Sequence, residues 1–287
     1  MKAFVMDAFS ENLFSGNQAG VVLVDRELSD ETMLKIAAEF KHSETAFIQP
    51  FDRGGNSIRI RYFTPAGEVE LCGHATVASF ALLRKLELIG DGGYLADTAA
   101  GRLNITVNDR RIWMDMAQPR LVKELDAAEI SELYSAFALS VSDGIEGCLP
   151  QIITTGLSDI IMPVRSRELL LSAVQDTSRV SALSYKLGCV GVHMFAPGDE
   201  SCTAYCSNFA PLYGIPEECA TGTANGALTY YLHLKGQITA GQENSFIQGE
   251  HMHRPSKVLS MLIENGNSVL IRIGGTAVMS MECDIKL

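Results

Sequence analysis

The chain has 287 residues, enough for two domains or for one large domain with an ample hydrophobic core. Its 47% hydrophobic and 20% charged residues are typical of a soluble globular protein. A net charge of −11 argues against a general affinity for nucleic acid or for anionic membranes. A small anionic substrate is compatible with this charge, because helix N-termini bind anions locally.

The N-terminal segment and the cysteines indicate the compartment. Asp7 interrupts the first apolar run too early for a signal peptide, and no apolar run approaches the ~20 residues that cross a bilayer. The seven cysteines are an odd number without C-x-x-C spacing, which suggests reduced thiols. We therefore expect a cytoplasmic protein without membrane contact.

The first half of the chain combines short strands with two helices. Alternating, β-branched and aromatic residues predict strands at 3–8, 20–24, 43–48, 58–63, 103–108 and 112–116. Ser29-Asp30-Glu31 is a cap signal for a helix at 32–40, and an apolar run predicts a second helix at 75–88.

The second half shows the same mixture. Helices are predicted at 127–139, within 169–187 and at 224–234. Strands are predicted at 151–155, 159–164, 191–196, 203–209, 258–263 and 268–273, the last two joined by a turn at Asn265-Gly266-Asn267. A final strand at 277–282 completes the set.

This order indicates two domains, 1–117 and 118–276, with residues 277–287 returning to the first. Many short strands for each helix favour an α+β fold with mixed sheets, rather than a Rossmann fold. The G-x-G-x-x-G and P-loop motifs are absent from the sequence, so nothing supports NAD, FAD or ATP, and we expect no cofactor.

One stretch of the chain is repeated. Leu71-Cys72-Gly73-His74-Ala75-Thr76 precedes the helix of the first half, and Cys219-Ala220-Thr221-Gly222-Thr223 precedes that of the second. In both copies an aromatic-x-Pro sequence leads to an acid-flanked cysteine and then to a helix start. A glycine ahead of a helix presents backbone N–H groups and the positive end of the helix dipole. We therefore expect the halves to close on one anion site.

Two kinds of acid/base group are candidates for the chemistry. Glu44 has apolar neighbours, which disfavour the charge of a carboxylate and suit a general acid/base near neutral pH. Cys72 and Cys219 form the other candidate, as two thiols that exchange a proton across opposite faces of a carbon. Either cysteine alone is more often a buried packing residue, and Glu44 alone is more often a surface or capping residue.

The remaining candidates would bind the substrate or orient these groups. His74 at the helix start suits hydrogen bonding to a carboxylate, and Gly222 and Thr223 are its counterparts in the second copy. Glu218 is a candidate either for orienting His74 or for serving as a second proton acceptor. His251 and His253 are expected on one face of a strand, but no third ligand is evident, so we expect no metal there. Arg254 is a candidate for binding an anion.

Short motifs also recur in a fixed order along essentially the whole chain. They are Asp7-Ala8-Phe9, Gly16-Asn17-Gln18-Ala19-Gly20-Val21, Ser43-Glu44-Thr45-Ala46-Phe47, Arg61-Tyr62-Phe63-Thr64-Pro65, Glu68-Val69, Leu71-Cys72-Gly73-His74-Ala75-Thr76, Phe209-Ala210-Pro211, Gly214-Ile215, Thr221-Gly222-Thr223-Ala224-Asn225-Gly226, Gly249-Glu250 and Arg254-Pro255-Ser256. Together these motifs resemble the PhzF-like (phenazine-biosynthesis) protein family.

The resemblance implies the fold shared with diaminopimelate epimerase, which has two pseudo-symmetric halves, each a sheet curled round a central helix, and is usually homodimeric. It also implies isomerisation of a small carboxylate substrate by proton transfer, without a cofactor or metal. Glu44 matches the general acid/base of the family. Gly73, His74, Gly222 and Thr223 fall where the family holds its substrate, and Glu218 falls where aspartate is usual.

The chain departs from the family pattern at its second copy. The family usually has Glu-Asp-Pro followed by x-Thr-Gly, whereas this chain has Glu217-Glu218-Cys219-Ala220-Thr221-Gly222. We align Cys219 and Cys72 with the two catalytic thiols of diaminopimelate epimerase and proline racemase. Three hypotheses follow: a PhzF-like isomerase that uses Glu44, a two-thiol racemase or epimerase, and a binding protein without turnover. We favour the first, because the Ser-Glu-Thr-Ala-Phe segment has no special role in the second.

Overall fold

The computed structural model describes residues 1–266 and 268–287, so that Asn267 of the predicted turn lies outside the described residues. Within these residues there are six α-helices, namely α1 (Asp30–Phe40), α2 (Gly73–Lys85), α3 (Ala127–Ser135), α4 (Arg167–Ser172), α5 (Thr177–Leu187) and α6 (Gly222–Leu234). Short 3₁₀ helices lie at Val141–Asp143 and Pro211–Tyr213.

The same residues form eighteen strands. These are β1 (Lys2–Ala8), β2 (Asn17–Leu23), β3 (Glu44–Ile48), β4 (Ser57–Thr64), β5 (Gly67–Val69), β6 (Gly92–Thr98), β7 (Gly101–Asn108), β8 (Arg111–Asp115), β9 (Arg120–Glu124), β10 (Gln151–Thr154), β11 (Ser158–Pro163), β12 (Gly191–Asp199), β13 (Cys202–Ala210), β14 (Ile215–Glu218), β15 (Glu243–Gln248), β16 (Ser256–Asn265), β17 (Ser268–Gly275) and β18 (Ala277–Asp284).

The chain divides into two compact units. The first unit contains Met1–Asp115 together with Gly274–Leu287, and the second contains Met116–Ile273. No helix among the described residues is both long and apolar enough to cross a membrane.

The first unit is a mixed sheet that curls round α2. Its strands lie in the order β18-β1-β2-β3-β4-β6-β7-β8, with β5 beside β4. The pairs β2–β3 and β4–β6 are parallel and the others are antiparallel. Helix α2 packs against β1, β2 and β3 and also against β8 and β18 at the two ends of this order. The sheet therefore surrounds the helix, which explains why nine of its 13 residues are buried.

Helix α1 packs against the same sheet. Ser29 caps the helix by accepting a hydrogen bond from the Thr32 backbone N–H at 3.2 Å. Its apolar residues Met33 and Ile36 pack in one cluster with Phe47 and Phe63. The helix ends at Lys41, which adopts a left-handed backbone conformation with φ of 58°. This sharp ending places Glu44 at the first position of β3.

The second unit repeats this arrangement round α6. Its strands lie in the order β9-β10-β11-β12-β13-β15-β16, with β14 beside β13. Helix α6 packs against β10, β11, β12 and β16, and nine of its 13 residues are buried. Another apolar cluster joins Leu133 and Leu183 of α3 and α5 to Ile160 and Val192 of the sheet. The predicted α+β class, with curled mixed sheets round central helices, is confirmed.

Two buried titratable side chains lie in the second unit. Asp159 of β11 is 2% exposed, and burial, with the negative charge of Glu218 adding to it, raises its pKa to about 7. His193 of β12 is fully buried, and burial lowers its pKa to about 4. Its Nδ1 lies 3.1 Å from the amide oxygen of Asn208. At neutral pH the histidine is therefore uncharged.

The contributions of these two groups to stability change in opposite directions with pH between about pH 4 and pH 7. The unfolded aspartate ionises near its usual pKa of about 3.9, but the folded one keeps its proton to about pH 7, so its contribution falls as pH rises through this window. Folded His193 resists protonation, so its contribution falls as pH drops from about 6.5 to about 4. Only a comparison with a variant separates the two effects.

We expect Asp159→Asn to change the free energy of unfolding more favourably at pH 8 than at pH 4.5. The difference between the two changes should be on the order of a few kcal/mol. The amide carries no charge, so the variant avoids the cost of ionising a buried carboxyl group. Urea unfolding of wild type and variant at both pH values measures the difference. Asp109→Asn, at an exposed turn residue, is the control and should show no such pH dependence. Equal effects of Asp159→Asn at the two pH values would contradict the raised pKa.

Candidate active site

Glu44 lies where β3 begins. Its side chain is 18% exposed, and its Oε2 atom is buried without a hydrogen-bond partner among the described residues. His74 is a titratable neighbour of this carboxylate, because its Nε2 lies 3.4 Å from Oε2 of Glu44. A buried carboxylate oxygen without a donor is costly for folding, and such groups are concentrated at functional sites.

Cys72 and His74 lie at the start of α2. Cys72 is the N-cap residue and His74 is the second residue of the helix, and both are buried. The Sγ atom of Cys72 lies 3.3 Å from Nδ1 of His74 and 3.8 Å from Nε2. The Ser43 hydroxyl lies 3.5 Å from the same Nε2. The structure thus brings together three of the predicted residues, with the imidazole next to both the carboxylate and the thiol.

Buried hydroxyl groups hold the start of α2 in place. Thr76 Oγ1 donates to the Cys72 carbonyl at 2.7 Å, and Tyr62 lies 2.6 Å from Thr76 Oγ1. Because the threonine proton points to Cys72, the tyrosine must be the donor of the second bond. Burial raises the pKa of Tyr62, so its hydroxyl stays protonated and can donate. Cys72 therefore has a fixed backbone.

Gln248, at the end of β15, holds the start of α6 in the second unit. This fully buried side chain accepts from the Thr221 backbone N–H at 3.2 Å and from Asn225 Nδ2 at 2.7 Å. It donates to the Glu218 carbonyl at 2.7 Å and to Thr221 Oγ1 at 3.1 Å. Thr221 Oγ1 in turn donates to Oε2 of Glu218. A hydrogen bond of this kind favours the ionised carboxylate.

Gln248 and Asn225 are not among the site residues that the sequence patterns predict. A glutamine that follows Phe246 and Ile247 in a strand is a signal for a buried amide, but its partners lie up to 30 residues away along the chain. Buried amides need partners for both donors and acceptors, which makes such a residue a candidate for a structural network.

Cys219 is not the structural counterpart of Cys72. Helices α2 and α6 each contain 13 residues, and their N-cap residues are Cys72 and Thr221. Gly222 and Thr223 therefore correspond to Gly73 and His74, as predicted, whereas Cys219 lies two residues before the cap. The two cysteines thus occupy different positions relative to their helices, and their match to the catalytic thiols of diaminopimelate epimerase and proline racemase stays a prediction.

The environment of Cys219 favours the neutral thiol. Cys219 is 5% exposed, and burial together with the charge of Glu218 raises its pKa to about 11, although Arg254 opposes this shift. The Cys219 carbonyl accepts a hydrogen bond from the Ser256 hydroxyl at 2.6 Å. Cys219 therefore holds a structural hydrogen bond and carries little thiolate at neutral pH.

The predicted strand position of His251 and His253 is also wrong. Both residues lie in a turn between β15 and β16, and His253 has a positive φ of 54°. His251 Nδ1 lies 3.5 Å from Glu217 Oε2, and burial raises the pKa of this glutamate while the histidine opposes the rise. Arg254 follows in the same segment and interacts with Cys219. The two histidines thus do not share a strand face.

The described residues contain one group of side chains with the donor atoms of a metal site. Single donor atoms of Glu44, Cys72 and His74 all lie within 4.8 Å of one another. The same three groups can also accept, hold and deliver a proton, because each has a titratable lone pair.

Comparisons with known proteins agree with this architecture. The chain is 34% identical over 289 residues to the "Uncharacterized isomerase YddE" of Escherichia coli (strain K12), covering 97% of this chain and 96% of that protein. A Bacillus anthracis phenazine biosynthesis protein of the PhzF family superposes with a TM-score of 0.90 at 27% identity, over 100% of this chain and 99% of that one.

A more distant structure shows the fold alone. A probable proline racemase from Agrobacterium radiobacter K84 gives a TM-score of 0.62 at 10% identity, over 100% of this chain and 93% of that chain. A family model described as phenazine biosynthesis-like protein matches residues 6–283, almost the whole chain. The chain therefore belongs to the PhzC-PhzF family of phenazine biosynthesis-like proteins.

Proposed function

We propose that this protein is a cofactor-independent isomerase that moves a proton on a small carboxylate-bearing substrate, with Glu44 as general acid/base. The observation that carries the proposal is the buried Oε2 atom of Glu44, which has no hydrogen-bond partner among the residues that the structure describes and lies 3.4 Å from Nε2 of His74. A lone pair of this kind can take a proton from carbon without first breaking a hydrogen bond. The relatives named isomerases support the same reaction class.

In this proposal the start of α2 holds the substrate anion. The Cys72 side chain does not cap the helix, so the first-turn N–H groups and the helix dipole favour a negative charge there. His74, the second residue of α2, donates a hydrogen bond to the charge that develops on the substrate. Glu44 takes the proton from one carbon and returns it to another.

In the second unit we assign Glu218 the role of second proton acceptor. Its carboxylate accepts a hydrogen bond from the Thr221 hydroxyl, and Gln248 fixes that hydroxyl. Gly222 and Thr223 are the first two residues of α6, which also lacks a side-chain cap from its N-cap residue. We propose that they bind the substrate by the same helix-terminal chemistry.

The two-thiol alternative is less well supported. In a reversible two-thiol reaction each cysteine must act as the thiolate in one direction, and the raised pKa of Cys219 disfavours that role; Cys219 also does not occupy the helix position of Cys72. A binding protein without turnover would have no need for a buried carboxylate oxygen that lacks a donor within the described part of the chain, because the unmet hydrogen bond only lowers stability.

We expect Glu44→Gln to lower substrate-dependent exchange with solvent deuterium by about 10²- to 10⁴-fold, because the amide cannot accept the proton. Proton NMR in deuterated buffer, with a panel of α-amino acids and unsaturated carboxylic acids, measures the exchange. Cys219→Ser should keep most of the activity. Glu39→Gln, on the exposed face of α1, is the matched control.

The same panel separates the hypotheses. Exchange at an α-carbon that survives Glu44→Gln and is lost in Cys72→Ser/Cys219→Ser would replace this proposal with a two-thiol racemase. Circular dichroism of each variant must show the wild-type fold for the comparison to count.

Thr221→Val tests the role of Glu218. The variant removes the hydroxyl that donates to the Glu218 carboxylate, and a hydrogen bond to a charged group contributes about 1.5–3 kcal/mol. The acidic limb of the pH–rate profile should therefore shift to higher pH by about one to two pH units. The profile is measured with the substrate found in the exchange panel.

Thr229→Val is the matched control, because Thr229 is a buried threonine of the same helix that donates to the Asn225 carbonyl at 2.8 Å and whose Oγ1 lies 2.7 Å from the Ser260 hydroxyl. It should lower stability without moving the acidic limb. If the acidic limb lies at the wild-type pH in both variants, the protonation of Glu218 does not govern the reaction.

A further inference from the structure

Glu44, Cys72 and His74 supply three different donor atoms at one point. They are a carboxylate oxygen, a sulfur and an imidazole nitrogen, one from each residue, and all three lie within 4.8 Å of one another. Oxygen, nitrogen and sulfur donors together suit Zn²⁺ and similar borderline cations, whereas Mg²⁺ and Ca²⁺ prefer oxygen alone.

The distances between the donor atoms are close to those round a tetrahedral ion. With Zn–S of about 2.3 Å and Zn–N or Zn–O of about 2.0–2.2 Å, ligand atoms in a tetrahedral site lie about 3.3–3.6 Å apart. Here Nε2 of His74 lies 3.4 Å from Oε2 of Glu44 and 3.8 Å from Sγ of Cys72. Sγ of Cys72 lies closer to Nδ1 of His74, at 3.3 Å, than to Nε2. Rotation of the imidazole or of the thiol is therefore needed to direct one nitrogen lone pair to an ion that also contacts the sulfur.

The surroundings favour binding at this point. Oε2 of Glu44 is buried without a hydrogen-bond partner among the described residues, and a bound cation would satisfy it. Cys72 has its backbone fixed by the bond from Thr76, which limits the entropy lost when the ligands converge. A site of three protein ligands leaves one tetrahedral position open to water or substrate.

We propose that Glu44, Cys72 and His74 form an inhibitory site for a borderline divalent cation of the Zn²⁺ class. The ion takes the lone pairs of the acid/base group and of its neighbours, so proton transfer stops while it is bound. Binding requires Cys72 to release its proton to solvent and His74 to be neutral, so affinity rises with pH. The ion is an inhibitor and not a cofactor; only its inhibitory effect rests on the proposed function.

Cobalt(II) is the probe, because it replaces zinc and reports its ligands by absorption. We expect untagged, chelator-treated, full-length protein to bind one equivalent of Co²⁺, with a thiolate-to-cobalt charge-transfer band and the intense visible bands of a four-coordinate ion. Added Zn²⁺ should remove both signals by displacement. Raising the pH from 6 to 8 should strengthen cobalt binding.

Variants show whether these three residues are the ligands. Cys72→Ser should lose the charge-transfer band, and Glu44→Gln should keep the band but weaken binding by on the order of 10²-fold, since one of three ligands is lost. Because Cys72→Ser alters a buried residue, the Glu44 variant provides the second test. Cys283→Ser removes an exposed thiol of the same unit and should bind cobalt like wild type.

The outcomes separate this inference from the proposed function. The absence of a charge-transfer band in wild type, or its persistence in Cys72→Ser, would overturn the metal site even if proton exchange is observed. Cobalt binding with the expected variant pattern would support the site even if the panel shows no exchange. Where exchange is observed, Zn²⁺ should abolish it and EDTA should restore it; full activity of the zinc-saturated protein would overturn the inhibitory role.

Discussion

The burial of two central helices is the constraint on which the structure of each unit depends. Helices α2 and α6 are apolar or small-sided on most faces, and nine of 13 residues in each are buried. A helix of this kind needs a sheet that surrounds it, which explains the many short strands in each unit. Its N-terminus is then buried too, where unpaired N–H groups are costly unless an anion or a polar side chain meets them.

The two units stabilise their helix starts with different side chains. In the first unit the hydroxyls of Thr76 and Tyr62 support the carbonyl of Cys72, whereas in the second Asn225 and Gln248 support Thr221. Thr76 and Asn225 both bond the carbonyl of the N-cap residue four positions earlier. The equivalence therefore lies in helix position and hydrogen bonding, and it relates Cys72 to Thr221 although their side chains differ.

Local patterns predicted most of the elements and the cluster round Glu44, because β-branched runs, caps and glycine steps are short-range signals. Among the strands that they missed are β6, which begins with two glycines, and β9, which is exposed throughout and charged at three of its five positions. The partners of Gln248 are set by the tertiary fold and leave no local trace. Local patterns also missed that Cys219 and Cys72 lie at different helix positions, because residue identity does not record where a helix begins.

The cluster at the start of α2 shows why proton-transfer groups and metal ligands are hard to separate. A group that takes a proton from carbon needs an available lone pair in a poorly solvated place, and a soft or borderline cation seeks the same lone pair. Adding a hydrogen-bond donor to Oε2 of Glu44 would weaken metal binding, but it would also weaken the base. Oε2 has no such donor among the described residues, so discrimination between an anionic substrate and a cation depends on neighbouring groups. The positive end of α2 favours the anion and lowers the affinity of the site for a cation without preventing its binding.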